Sequence, residues 1–196
     1  SGLPGFAIVG MPETTVRESK ERVRSAIINS GLDFPQSRIT VNLAPADLPK
    51  SGAQYDLAIA LGILQASGQI PEGSMDGKEI MGELALQGDV RAIQGVVPAT
   101  LAAREVGREI ILPRANVAEA ELVAYPNTRV ITSLVDYLEH VRAGKELEMP
   151  HGKATATHTA DDLKREFLAV KGQLFARRAV ELAAAGSHNL LMIGPP

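Results

Sequence analysis

Stretches whose apolar residues alternate in steps of two are interleaved along this chain with stretches whose apolar residues recur at helical spacing. That alternation of strand and helix signals confines the chain to an α/β or α+β fold. Phe6 to Met11 reads as a strand broken by Pro12. Thr14 to Asn29 follows as an amphipathic helix, with Val16, Val23 and Ile27 on one stripe and Gly31 beyond its end. Arg38 to Leu43 alternates as a half-buried strand. A loop from Ala44 to Gln54 leads into an unusually apolar helix, Leu57 to about Ala66, for which Asp56 is a natural N-cap. Ile80 to Ile93 reads as a hairpin turning near Gln87-Gly88-Asp89, and Pro98 to Val106 as a helix ending at Gly107. Strand Glu109 to Leu112, a helix capped by Asn116, strand Arg129 to Thr132 and helix Leu134 to Arg142 complete this part. Ser133 and Asp136 stand at capping positions of the last helix.

From Gly144 to about Asp161 the periodicity stops and the composition shifts to Lys, Glu, Thr, His, Ala and Pro, as in a linker. Beyond it, Gln173 to Ala185 reads as a helix closed by Gly186. The apolar run Asn189 to Ile193 reads as a strand running into Gly194-Pro195-Pro196. An apolar strand that ends in glycine is how a G-x-x-x-x-G-K-[S/T] loop begins. Gly194, Pro195 and Pro196 are therefore the candidate nucleotide-contacting residues, acting through backbone positioning. On this reading the lysine and hydroxyl that hold phosphates and magnesium lie past Pro196.

The 196 residues suit one domain plus the start of a second, and 45% apolar content is ordinary for a globular protein. No cysteine is present, which rules out a disulfide framework, a thiolate nucleophile and a cysteine zinc site. A net charge of -3 and few aromatics argue against a strongly basic nucleic-acid binder or a base-stacking platform. No apolar run reaches the roughly 18 residues of a membrane span. The protein is read as cytoplasmic and free of the membrane. Because Ser1-Gly2 is not a natural start, a leader ahead of it stays open.

Other candidate residues have plainer readings. Lys50 and Ser51 are adjacent in a loop rich in glycine and proline, and a solvated turn explains them better than a catalytic pair. Asp47 and Asp56 flank that loop; capping and loop hydrogen bonds explain them better than metal ligation. His151 and His158 lack acidic or cysteine partners at metal-ligand spacing, and His188 reads as a turn residue ahead of the phosphate loop. Arg17, Lys20 and Arg24 share a face of the first helix with Glu13, Glu18 and Glu21. Pairs Arg17-Glu21 and Glu18-Arg22 at i,i+4 make a salt-bridged exposed surface the default there.

Three segments resemble one family. They are Ser1-Gly2-Leu3-Pro4-Gly5-Phe6 through Arg22-Val23-Arg24-Ser25-Ala26; Val41-Asn42-Leu43-Ala44-Pro45-Ala46-Asp47-Leu48-Pro49-Lys50 with Tyr55-Asp56-Leu57-Ala58; and Asp162 to Pro196. Together they are similar to the ComM (YifB) family, bacterial relatives of the magnesium-chelatase ATPase subunit. The middle region also resembles the proteolytic domain of Lon, whose P-K-D-G-P-S-A-G segment carries a nucleophilic serine. Here the serine position falls on Gln54, or on Ala53 by the other alignment. The G-E-(I/L)-x-L-x-G-x-V segment is recognisable from Gly82 to Val90, and the lysine position then falls on Ala99. A serine-lysine mechanism needs both side chains, so the resemblance implies the fold without peptidase activity.

The resemblance thus implies a Lon-protease-like domain over 1–143 lacking the dyad, a linker over 144–161 and the first elements of an AAA+ ATPase module over 162–196. For the intact protein it implies ATP and magnesium as cofactors and a ring, hexameric in this family, that acts on DNA as a branch-migrating motor in transformation and recombination. A chelatase-type motor for metal insertion and a genuine peptidase are the alternatives.

Overall fold

The computed structural model describes residues 5–150 and 169–194. The chain divides into two units, Ser1–Ala154 and Thr155–Pro196.

In the first unit, β1 (Gly5–Val9) and β2 (Arg38–Asn42) pair in parallel, with Phe6 opposite Ile39 and Ile8 opposite Val41. Helix α1 (Thr14–Asn29) makes the crossover between them, as parallel strands require. Its boundaries match the sequence reading. Val16, Val23, Ala26 and Ile27 are buried along one stripe, and Ser19 lies on the same stripe. Gly10 ends β1 with φ +98°, and a Cβ there would sit 2.0 Å from the Leu43 carbonyl oxygen. Only glycine fits this return past β2.

Helix α2 (Asp56–Ala66) packs against α1 and buries Leu57, Leu61 and Leu64 completely. A helix apolar on nearly every face belongs in a core, and truncating any of these leucines costs about 2–5 kcal/mol. The expected single hairpin resolves into two features. β3 (Lys78–Ile80) pairs in parallel with a later strand, while β4 (Glu83–Leu84) and β5 (Val90–Arg91) form a short antiparallel ribbon.

The second sheet has the order β3-β6-β7, all parallel, with β6 (Glu109–Pro113) in the middle and β7 (Thr128–Ile131) at the other side. Ile110, Ile111 and Leu112 of β6 are fully buried, as a central parallel strand demands. Helix α3 (Val96–Glu105) precedes β6, and α4 (Val117–Glu121) connects β6 to β7.

Helix α5 (Leu134–Ala143) starts in the expected capping box. Ser133 Oγ accepts from the Asp136 amide, and Asp136 accepts from the Ser133 amide at 3.0 Å. Burial alone would raise the Asp136 pKa. Hydrogen bonds from the Thr132 hydroxyl and amide and from Ser133 outweigh it, so the carboxyl ends below its ordinary value. Residues 145–150 run back along β7, where the Val130 amide donates to the Glu148 carbonyl at 2.8 Å.

In the second unit the described part is α6 (Leu174–Ala185) and the stretch to Gly194. Helix α6 buries no residue; Phe175 is 94% exposed. The expected strand 189–193 is not a strand in the structure. Leu191 and Ile193 are 81% and 90% exposed, and among the described residues no strand pairs with this stretch. An extended segment becomes a strand only by hydrogen-bonding a neighbour, so its apolar side chains stand in solvent.

Candidate functional site

The loop after β2, the ribbon β4-β5 and the start of α4 enclose a cleft of about 470 Å³. Gln54 and Ala53, the two candidates for the serine position, both line it. Gln54 is held by its backbone: its carbonyl accepts from the Gly82 amide at 2.9 Å, which fixes the loop against the ribbon. Opposite them lie Glu83, Gln94 and Glu119, and the one hydroxyl among the lining residues is that of Thr15. Neither lysine nor histidine lines this cleft.

Ala99, at the lysine position, lines a different hollow with Glu79, Met81 and Arg108. The cleft therefore offers two carboxylates, carboxamides and backbone to a ligand, with no activated nucleophile.

The chemistry that the sequence reading missed lies at the start of α2. Asp56 does not cap α2; it is the first residue of that helix, and the capping position belongs to Tyr55 without a side-chain bond. Its carboxylate, fully buried, turns away to α1. Arg22 donates from Nε to Oδ2 at 2.6 Å and from Nη2 to Oδ1 at 3.1 Å. Ser19 Oγ also donates to Oδ1, and the Leu84 amide donates to Oδ2 at 3.3 Å.

The hydrogen bond to Asp56 raises the Arg22 pKa above its ordinary value, against the opposing effect of burial. All acceptor directions of the carboxylate are used, so it is neither a base nor a metal ligand. Among the described residues no group of three or more His, Cys, Asp or Glu side chains could hold a metal ion. The signal was present in the sequence: Ser19 breaks an otherwise apolar stripe, and a polar side chain on a core face requires a buried partner.

Lys50 also departs from expectation. Far from being solvated, it is 6% exposed and donates from Nζ to the Pro45 carbonyl. Its backbone bridges to the β1 end, with its amide on Met11 O at 3.1 Å and its carbonyl accepting from Glu13 at 3.0 Å. Ser51 is exposed beside it. The amine is committed to its own loop and does not serve that hydroxyl. Asn116 likewise clamps β5's exit, accepting from the Ile93 amide and donating to the Ile93 carbonyl, both at 2.9 Å.

On α1, Glu18 and Arg22 approach only to 4.0 Å because Arg22 is drawn to Asp56. Arg17 donates to the Pro12 carbonyl at 3.1 Å, and Arg24 stacks 4.9 Å from the Phe34 ring centroid.

Of the candidate nucleotide residues, Gly194 is described and Pro195 and Pro196 lie outside the described residues. Gly194 is exposed, and a Cβ built on it would meet nothing within 4 Å. The His188 amide donates to Ala183 O at 2.8 Å, closing α6 ahead of that stretch. His151 and His158 lie outside the described residues. Among the described residues no helix is long and apolar enough to cross a membrane.

Parallel strands with helical crossovers define the class. It is a mixed α/β domain of the kind that precedes an AAA+ module. The chain belongs to the magnesium-chelatase ChlI family: the family model "Subunit ChlI of Mg-chelatase" matches residues 1–116, and "Magnesium chelatase, subunit ChlI" matches residues 166–196.

Across its entire length the chain is 44% identical to the competence protein ComM of Haemophilus influenzae and 43% identical to the protein YifB of Escherichia coli. It covers 39% and 38% of those proteins, so it spans about two-fifths of the curated relatives it matches. Lon protease 2 of Bacillus subtilis is 29% identical over 129 residues, 65% of the chain and 21% of that protein.

Proposed function

We propose that this chain is the N-terminal part of an AAA+ ATPase that drives branch migration of DNA in natural transformation and recombination, as a cytoplasmic homo-oligomeric ring of six copies. The observation that carries the reading is the 44% identity to a competence protein, in an alignment that covers both units. In this reading residues 1–143 are a protease-like domain without peptidase chemistry, 144–161 a linker, and 162–196 the start of the ATPase module.

In this reading Gly194, Pro195 and Pro196 are the first residues of the phosphate loop. The open space around Gly194 fits a ligand that approaches the main chain closely. Magnesium-ATP, once bound, supplies the free energy for the motor. The contribution of Gly194, Pro195 and Pro196 in this reading is backbone contact. The cleft over Gln54 holds or positions a partner and does not cut it.

A second reading follows from the matched family itself, whose description names magnesium chelatase: a motor that drives metal insertion into a tetrapyrrole. Incubating the full-length protein with ATP and a synthetic four-way DNA junction separates the two. Junction resolution into migrated products that requires ATP supports the DNA motor. ATP hydrolysis that leaves the junction untouched would contradict it and favour the chelatase reading.

A further inference from the structure

A hollow of about 690 Å³ lies between β2 and α2, lined by residues other than those of the cleft over Gln54. Arg38, Ile39, Thr40 and Val41 all line it. Side chains of a strand alternate between faces, so four consecutive residues line a groove only when it runs along the strand's edge. That edge is open, because β2 has β1 as its one hydrogen-bonded neighbour among the described residues. The Leu43 amide donates to Val9 O on the β1 side. By the alternation of a parallel ladder, the amides of Arg38, Thr40 and Asn42 point the other way, toward the groove edge.

The opposite wall is one stripe of α2, formed by Ala58, Ile59, Gly62, Ile63 and Ala66. Gly62 stands inside the helix, where glycine costs about 1 kcal/mol relative to alanine. Close packing is the usual reason to keep such a glycine, yet a Cβ there would meet no atom within 4 Å. The space beside Gly62 is therefore open. Among the lining residues Arg38 carries the only charge.

We propose that this groove binds an extended peptide segment as an added strand on β2. The segment matches the five residues of β2 in length, presents apolar side chains and a closely approaching backbone to α2 at Gly62, and carries an acidic residue where it passes Arg38. The unpaired β2 amides supply affinity and the apolar wall supplies selectivity. No peptidase chemistry is involved, and the site is separate from the nucleotide reading.

The test is selection of random octapeptides displayed on phage against the full-length protein, followed by fluorescence polarisation with the recovered peptides. Recovered sequences should alternate apolar residues and carry an acidic one. Gly62→Leu, whose side chain enters open space, should keep the thermal midpoint and weaken binding by about tenfold or more. Arg38→Glu should weaken the acidic peptides and, in a fresh selection, recover basic ones. Hydrogen exchange of the Arg38, Thr40 and Asn42 amides should slow only when peptide is added. Failure to recover any peptide, or binding indifferent to Gly62→Leu, would overturn the proposal. So would slow exchange of the Arg38, Thr40 and Asn42 amides without peptide, which would show the edge already covered by the protein's own chain or by a second copy.

Discussion

Arg22 on α1 grips Asp56 at the start of α2 at two points, Nε to Oδ2 at 2.6 Å and Nη2 to Oδ1 at 3.1 Å. The pair joins the two helices that pack under the emptied cleft. Because Leu84 of β4 also donates to this carboxylate, the pair sets the position of the ribbon as well. An exposed ion pair contributes little, but breaking a buried one leaves an uncompensated charge. Arg22→Ala should therefore destabilise by about 3–5 kcal/mol in urea unfolding, since it strands a fully buried carboxylate. Asp56→Ala should cost somewhat less, because the Arg22 side chain is 19% exposed and reaches water. Equal and negligible losses would mean the network does not hold the helices.

Tyr137 provides a pH signature. Its ring is fully buried on α5, and its hydroxyl donates to the Ser74 carbonyl at 2.8 Å. Burial, assisted by the Glu109 charge, pushes the phenol up to about 12, while the Ser74 hydrogen bond pulls it down. An unfolded tyrosine ionises near pH 10, roughly. Between those values the unfolded chain sheds a proton that the folded chain retains, so stability is constant below that window and falls as pH rises through it. Tyr137→Phe should lose about 1 kcal/mol at neutral pH and show a shallower decline at high pH. Parallel curves for the two proteins would contradict this.

The cleft should be chemically inert toward peptide bonds. Gln54 or Ala53 stands where the serine belongs, Ala99 lines another hollow, and the Lys50 amine is held by its own loop. A fluorophosphonate probe, read by mass spectrometry of the intact chain, should leave no adduct, and casein should remain uncut. An adduct on Ser51 would establish a displaced nucleophile.

The helices were legible in the sequence because amphipathic periodicity and terminal residues agree. Thr14–Asn29 was read to the residue, and the Ser133-Asp136 capping box is present as written. The pairing of strands was not legible. Ile80 went to a parallel partner, Ile111, because a sheet three strands wide buries more apolar surface than a longer ribbon, and a local pattern does not encode that choice.

Asp56 misled for the same reason. Its position suits a cap, but the guanidinium of Arg22 offers a carboxylate stronger, charge-assisted hydrogen bonds than its own helix does. At 189–193 the apolar pattern predicts a strand that the structure does not form, because among the described residues the stretch lacks the neighbour that would make it one.

The nucleotide reading meets its most direct test in calorimetric titration of magnesium-ATP into three proteins: the full-length protein, its Gly194→Val variant, and the 196-residue chain. A side chain at Gly194 would occupy the open space beside the backbone that the reading assigns to phosphate. The account predicts micromolar binding by the full-length protein, a loss of about tenfold or more in the variant, and no binding by the 196-residue chain, which has no lysine after Gly194. Full-length protein that binds no ATP, a variant equal to it, or micromolar binding by the 196-residue chain would contradict the account.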